Sequence, residues 1–137
     1  MRVTVWGFAV EVDDRRIDCA ADSLRNQLVE YERGERREFD VDVRFPDSFT
    51  GDVMRVMASI PYGETRTYGE VAAELDSHAV AVGQACGRNP VPLVVPCHRV
   101  VGADSLGGFS AAGGVDLKRA LLDRERGAVQ TGLARFD

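Results

Sequence analysis

Hydrophobic and polar positions alternate through VTVWGFAVEV (residues 3–12), which predicts a strand carrying Trp6, Phe8, Val10 and Val12 on one face. From Ser23 to Arg33 the spacing changes. Leu24, Leu28 and Tyr31 follow the helical period, with Asp22 or Ser23 as the cap and Gly34 as the stop. Alternation returns in FDVDVRF (39–45), with Phe39, Val41, Val43 and Phe45 toward a core and Asp40, Asp42 and Arg44 toward water, until Pro46 breaks it. These three elements form a small β-α-β unit over residues 1–45.

Beyond Pro46 the helical period dominates. Val53, Val56, Met57 and Ile60 lie at i, i+3, i+4 and i+7, a one-faced helix ended by Pro61. A short helix over 70–75 and a second over 79–85, with Ser77 as its cap, fit a helix-turn-helix or an ordinary helical hairpin. The second helix is built largely from Ala79, Ala81, Gly83 and Ala85. Such a helix packs tightly on another helix or approaches a different surface closely, and both readings stay open on spacing alone. Leu93–Val95 reads as a short buried segment between the turn at Gly87–Pro92 and Pro96. Glycine-rich loops follow at Gly107-Gly108 and Gly113-Gly114, then a closing helix marked by Leu117, Ala120 and Leu121, and a tail from Gln130. The chain is therefore α+β, with residues 46–137 mostly helical.

Composition narrows the classes. With 137 residues, 45% hydrophobic, 28% charged and a net charge of -5, the chain has enough apolar content for a packed domain and too little charge for a disordered tail. No apolar run approaches the roughly 20 residues of a membrane span, and no signal-peptide pattern is visible, so a cytoplasmic protein without membrane association is expected. Lys118 is the only lysine among 17 basic residues. The acidic balance argues against a partner held by bulk electrostatics, nucleic acid included. Cys19, Cys86 and Cys97 are odd in number and lack CxxC spacing, which supports neither a disulfide framework nor a zinc site; no metal and no cofactor is expected.

Cys97 carries the candidate chemistry. It follows a buried apolar segment and precedes His98 and Arg99, where positive charge would lower a thiol pKa and a histidine would take its proton. A buried structural cysteine fits the same residues.

Pro96-Cys97-His98-Arg99-Val100, preceded by Gly87-Arg88-Asn89-Pro90-Val91-Pro92, resembles the active-site signature of the methylated-DNA–protein-cysteine methyltransferases, the O6-alkylguanine-DNA alkyltransferases. Ile60-Pro61-Tyr62-Gly63, Thr67 to Ala72, Gly108-Phe109-Ser110 and Lys118 to Glu125 extend the likeness over about residues 46–127. It implies an alkyltransferase domain with helix-turn-helix, winged-helix-like DNA binding, and a single-turnover transfer from O6-alkylguanine to Cys97. His98 would be the base, acting through a water, and Glu125 would orient it. Tyr68 would meet guanine N3, Asn89 would brace the link between the DNA helix and the active-site strand, and Pro92 would wall the alkyl pocket. Backbone groups near Val100 and Ser110 would read the base edge. The resemblance also gives the small-residue helix a meaning: Ala79, Val80, Ala81 and Gly83 would enter the minor groove of double-stranded DNA while the damaged base is flipped out, with Arg66, Arg88, Arg99 and Arg119 nearby for phosphates. A monomer is expected.

The chain departs from the family pattern at Val80, where an intercalating arginine is usual, at Phe109, where a tyrosine is common, and in a loop lengthened by Ala111-Ala112. The alternative function is a lesion-binding protein resembling the alkyltransferase-like group. That group replaces the cysteine by tryptophan or alanine, so Cys97 argues for transfer. A Cys-His hydrolase finds no supporting motif.

Overall fold

The computed structural model describes residues 1–108 and 114–130. The first stretch is a hairpin rather than the single strand expected. β1 (Arg2–Val5) pairs antiparallel with β2 (Phe8–Glu11) in the register Val3 with Val10 and Val5 with Phe8. Trp6 and Gly7 form the two-residue connection, with φ of 46° and 84°. Positive φ at both positions is the signature of the turn whose twist matches a hairpin. A tryptophan is a poor residue for it, and contacts compensate: its backbone N–H donates to Glu32 Oε2 at 2.6 Å and the Arg124 guanidinium lies 5.0 Å from its ring centroid. The turn shifts the alternation by one position, so Val3, Val5, Val10 and Val12 enter the core and Trp6 does not.

After a 3-10 turn at Asp14–Arg16 come β3 (Ile17–Asp18), α1 (Ala21–Glu32) and β4 (Asp42–Val43), so the strand before α1 is a two-residue one that the alternation over 3–12 does not predict. β3 and β4 pair antiparallel. Neither Asp22 nor Ser23 caps α1. The cap position is Ala20, without a side-chain bond, and Asp22 lies in the first turn, where its charge suits the helix dipole. Gly34 stops the helix as expected: its N–H reaches Tyr31 O and that of Glu35 reaches Glu30 O, a Schellman closure. In residues 39–45 only two positions pair, and Phe39, Val41, Val43 and Phe45 are half-buried rather than core.

α2 (Phe49–Ala58) starts at a Ser48 cap and buries Val53, Met54 and Met57. β5 (Arg66–Thr67) runs parallel to β6 (Val100–Val101), bringing the start of α3 (Tyr68–Glu74) against the Cys97 segment. A reciprocal capping box opens α3, with Glu70 N to Thr67 Oγ1 at 3.0 Å and Thr67 N to Glu70 Oε1 at 2.8 Å. It ends in a second Schellman closure, with Asp76 at φ 53° and Ser77 N bonded to Ala72 O. The first helical bond of α4 (Ala79–Gly87) runs from Val82 N to His78 O, so the cap position is His78, one residue after Ser77, and its Nδ1 accepts from Ala81 N at 3.3 Å. α5 (Gly114–Gln130) closes the structure. The described residues thus form five helices with three small strand pairs, a mixed α and β architecture. One core cluster takes in residues on both sides of Pro46, from Val10 and Leu28 to Met54, Val82 and Leu121.

Candidate active site

Cys97–Arg99 form a 3-10 turn feeding β6. The approach to it is set by Asn89, whose Oδ1 accepts from Val91 N at 3.1 Å and whose Nδ2 donates to Val95 O at 2.9 Å. Leu93, between those two anchors, is buried at φ 75°. A leucine there costs on the order of 1–3 kcal/mol and persists only where its surroundings over-determine it. The Asn89 clamp and the Val95 N to Val91 O bond supply that constraint.

Cys97, His98, Arg99, Lys118 and Glu125 are all buried. Glu125 is the centre of the charged group. Its Oε2 lies 2.8 Å from His98 Nε2, and Arg99 grips it with two bonds, Nε to Oε1 at 2.8 Å and Nη2 to Oε2 at 3.1 Å. Burial by itself would raise the Glu125 pKa, but the bonds from His98 and Arg99 outweigh it and hold the carboxyl at about 2. An ionised carboxylate only accepts, so the proton on Nε2 belongs to His98. Burial lowers the His98 pKa, with Arg99 and Lys118 pushing the same way against Glu125. The imidazole is therefore neutral, with its lone pair on Nδ1, and that atom is buried without a hydrogen-bond partner among the described residues. Such a group is a base awaiting a proton.

The Cys97 thiol departs from expectation. Burial pushes it up to about 11, against hydrogen bonds from the Asn89 side chain and from the backbone of Cys97 and His98, and against the Lys118 charge. The His98 and Arg99 side chains are not what opposes the rise, because the imidazole is neutral and the Arg99 charge is engaged with Glu125. The cation acting on the thiol is Lys118, which sequence reasoning leaves out of the site. Its Nζ donates to Val100 O at 2.7 Å, Gly108 O at 2.9 Å and Tyr68 OH at 3.3 Å. Two signals mark it: it is the only lysine, and it precedes Glu125 by two helical turns on one face of α5.

Tyr68, half-buried, packs under the 107–108 loop so closely that a Cβ on Gly107 would stand 2.7 Å from its hydroxyl, and Gly107 has φ 76°. Only glycine fits. Pro92 and Val100 are buried. On α4, Val82, Ala85 and Cys86 face the core, while Ala79 and Val80 are exposed and Ala81 and Gly83 half-buried; Val80 is 67% exposed, the highest among the exposed large hydrophobic residues. Cys86 lies against Met57 Sδ at 3.6 Å, as a packing residue does. Arg88 and Arg119 are exposed, but Arg99 is not available to phosphate, since it is buried on Glu125 and on Ile60 O at 2.7 Å. Phe109, Ser110 and Ala111-Ala112 lie outside the described residues. Among the described residues no His, Cys, Asp and Glu gather as a metal site, and no helix is long and apolar enough to cross a membrane.

Residues 48–127 match the family described as 6-O-methylguanine DNA methyltransferase, DNA binding domain. The methylated-DNA–protein-cysteine methyltransferase of Mycobacterium tuberculosis is 46% identical over 117 residues, covering 82% of this chain and 69% of that protein. The crystal structure of the Mycobacterium tuberculosis O6-methylguanine methyltransferase superposes with a TM-score of 0.73 at 42% identity, covering 85% of this chain and 72% of the other. The crystal structure of the Mycobacterium tuberculosis OGT in complex with DNA does so with a TM-score of 0.72 at 42% identity, covering 85% and 73%.

Proposed function

This chain belongs to the methylated-DNA–protein-cysteine methyltransferases, and on that premise we propose that Cys97 takes the alkyl group from O6-alkylguanine in DNA, once and irreversibly. The family's activity makes the chain a DNA-binding repair transferase. The observation that carries the assignment to Cys97 is the buried Glu125–His98 pair, 2.8 Å apart, beside it in the chain. A carboxylate holds the imidazole in one tautomer and leaves the free lone pair on Nδ1 to take the thiol proton through a water.

The balance is simple. The Cys97 thiolate attacks the alkyl carbon in line, an S–C bond forms, the C–O6 bond breaks, and its electrons stay on guanine. The purine then needs a proton or a hydrogen bond. Tyr68, whose hydroxyl accepts from Lys118 and donates to Gly108 O at 3.4 Å without DNA, would turn that proton toward N3. The product is a thioether, which nothing at the site hydrolyses, so one protein repairs one base. A thiol held near 11 is mostly protonated in the resting protein, so activation belongs to the DNA-bound state, with His98 accepting the proton and Lys118 stabilising the thiolate. Val100 O already accepts from Lys118, but a carbonyl has a second lone pair for the exocyclic amine of guanine. Asn89 keeps the segment rigid, and Pro92 closes the pocket.

We assign DNA contact to the exposed edge of α4, with Ala79, Val80, Ala81 and Gly83 small enough for the minor groove and Arg88 beside them, the lesion being flipped into the site of a monomer working in the cytoplasm. Val80 fits as an apolar wedge but cannot hydrogen-bond to the base left behind. Val80→Arg should speed repair in duplex DNA several-fold and leave single-stranded repair nearly unchanged; equal gains on both, measured by single-turnover kinetics, would remove Val80 from the flipping step.

The decisive experiment is intact-protein and peptide mass spectrometry after incubation with a duplex containing O6-methylguanine. One methyl adduct on Cys97, absent in Cys97→Ser, is the expected result. Lesion binding without an adduct would make this a lesion-binding protein instead.

A further inference from the structure

We propose that Tyr31, far outside the Cys97 segment, is a positioning residue of this site: its hydroxyl fixes the carboxylate that fixes His98. The inference rests on the reading of His98 as the base for Cys97. Tyr31 lies on α1, 94 positions before Glu125, and is buried. Its hydroxyl donates to Glu125 Oε2 at 2.5 Å, the same oxygen that His98 Nε2 approaches at 2.8 Å. The phenol keeps its proton, because burial and the Glu125 charge both raise its pKa well above the ordinary value. A short bond from a neutral hydroxyl to a carboxylate is charge-assisted and draws negative charge from the oxygen it meets. His98 therefore faces a carboxylate whose charge Tyr31 has already tempered.

The ring has little freedom. Phe39 lies 5.6 Å from it between centroids, and Tyr62 meets it edge-on at 6.2 Å. The same end of α1 grips α5 one residue earlier, through Arg124 Nη1 to Glu32 O at 2.7 Å. α1 thus holds α5 at Arg124 and Glu125 together. A tyrosine serving only as core filler would satisfy its hydroxyl on any backbone carbonyl; this one ends on the functional carboxylate.

The charged groups facing His98 are Glu125, Arg99 and Lys118. Tyr31→Phe leaves all three in place and removes one hydrogen bond from Oε2. More charge then stays on that oxygen, and His98 should protonate at higher pH. The chain has two histidines, so ¹⁵N NMR of the imidazoles resolves them, with exposed His78 as the internal control. The expected result is a rise of about half a unit in the His98 titration, about threefold in its proton affinity, with His78 unmoved. The acid limb of the single-turnover methyl-transfer rate should shift by the same amount.

Tyr31→3-fluorotyrosine keeps the shape and strengthens the donor, so it should move His98 the opposite way, and it serves if the phenylalanine variant does not fold. A His98 titration unchanged in the variants that fold would overturn the proposal. The NMR measurement needs no DNA. Absence of a methyl adduct on wild-type Cys97 would therefore sink the alkyl-transfer reading while leaving the Tyr31 result to stand or fall separately.

Discussion

Glu125→Gln is expected to slow methyl transfer by about two orders of magnitude and to destabilise the fold by about 3–5 kcal/mol. Both effects follow from one buried carboxylate. Arg99 is bound to it twice, with a further bond to Ile60 O, so the amide leaves a guanidinium without its counter-charge. The introduced amide would also turn its NH₂ toward the imidazole, donate to Nε2, and drive the proton to Nδ1. The base toward Cys97 is then lost through the tautomer, even where the geometry survives. The stability loss has a sign in pH. The Glu125 carboxyl is held at about 2, against an ordinary value of 4.5, so its contribution is fully present above 4.5 and fades as pH falls toward 2. Urea denaturation should show a wide gap between wild type and variant at neutral pH that narrows in acid. A gap of constant size would show that packing, not charge, is lost. Rapid-quench single-turnover kinetics give the rate.

What can be read from the chain is what is contiguous or periodic. Pro96 to Arg99 announce a nucleophile beside a base, and Leu117, Leu121 and Glu125 share one face of a single helix. Distance hides the rest. Tyr31 and Glu125 meet across 94 positions, and nothing local to either marks the other. The hairpin escapes the pattern because alternation is present in both strands, and a two-residue turn merely shifts its phase; Trp6-Gly7 lacks the asparagine or aspartate that usually betrays such a turn.

Arg99 illustrates a different limit. An arginine beside a DNA-active cysteine suggests phosphate, and its true partner is the carboxylate that arrives on α5. The thiol looks more acidic in the sequence than it is for the same reason, since proximity to His98 and Arg99 says nothing about whether they are neutral or already paired. Caps show the limit at one-residue scale. Ser77 is the better helix cap by propensity, but the first bond of α4 runs from Val82 N to His78 O, so the cap position falls on His78.

Lys118→Met should lower the methyl-transfer rate by about tenfold or more, because it removes a cation that opposes the burial of the Cys97 sulfur. The ammonium has three donors, and its three contacts at 2.7, 2.9 and 3.3 Å use each of them, tying β6, the 107–108 loop and Tyr68 to α5. It also lies 5.6 Å from the Tyr68 ring centroid. Burial lowers the Lys118 pKa, with Cys97 and Cys86 opposing, which makes its charge responsive to its surroundings: a thiolate forming on Cys97 would favour the protonated amine. The pair then behaves as a coupled unit in which each charge supports the other. In the methionine variant the thiol loses one of the influences that hold it down to about 11, so it should titrate higher still. The rate of Cys97 alkylation by iodoacetamide against pH reports that shift without DNA. Lys118→Arg should rescue poorly, since a planar fork cannot converge on three acceptors around one point. If the methionine variant transferred methyl at the wild-type rate and its thiol titrated unchanged, Lys118 would be a strut for the loop over Tyr68 and no part of the chemistry.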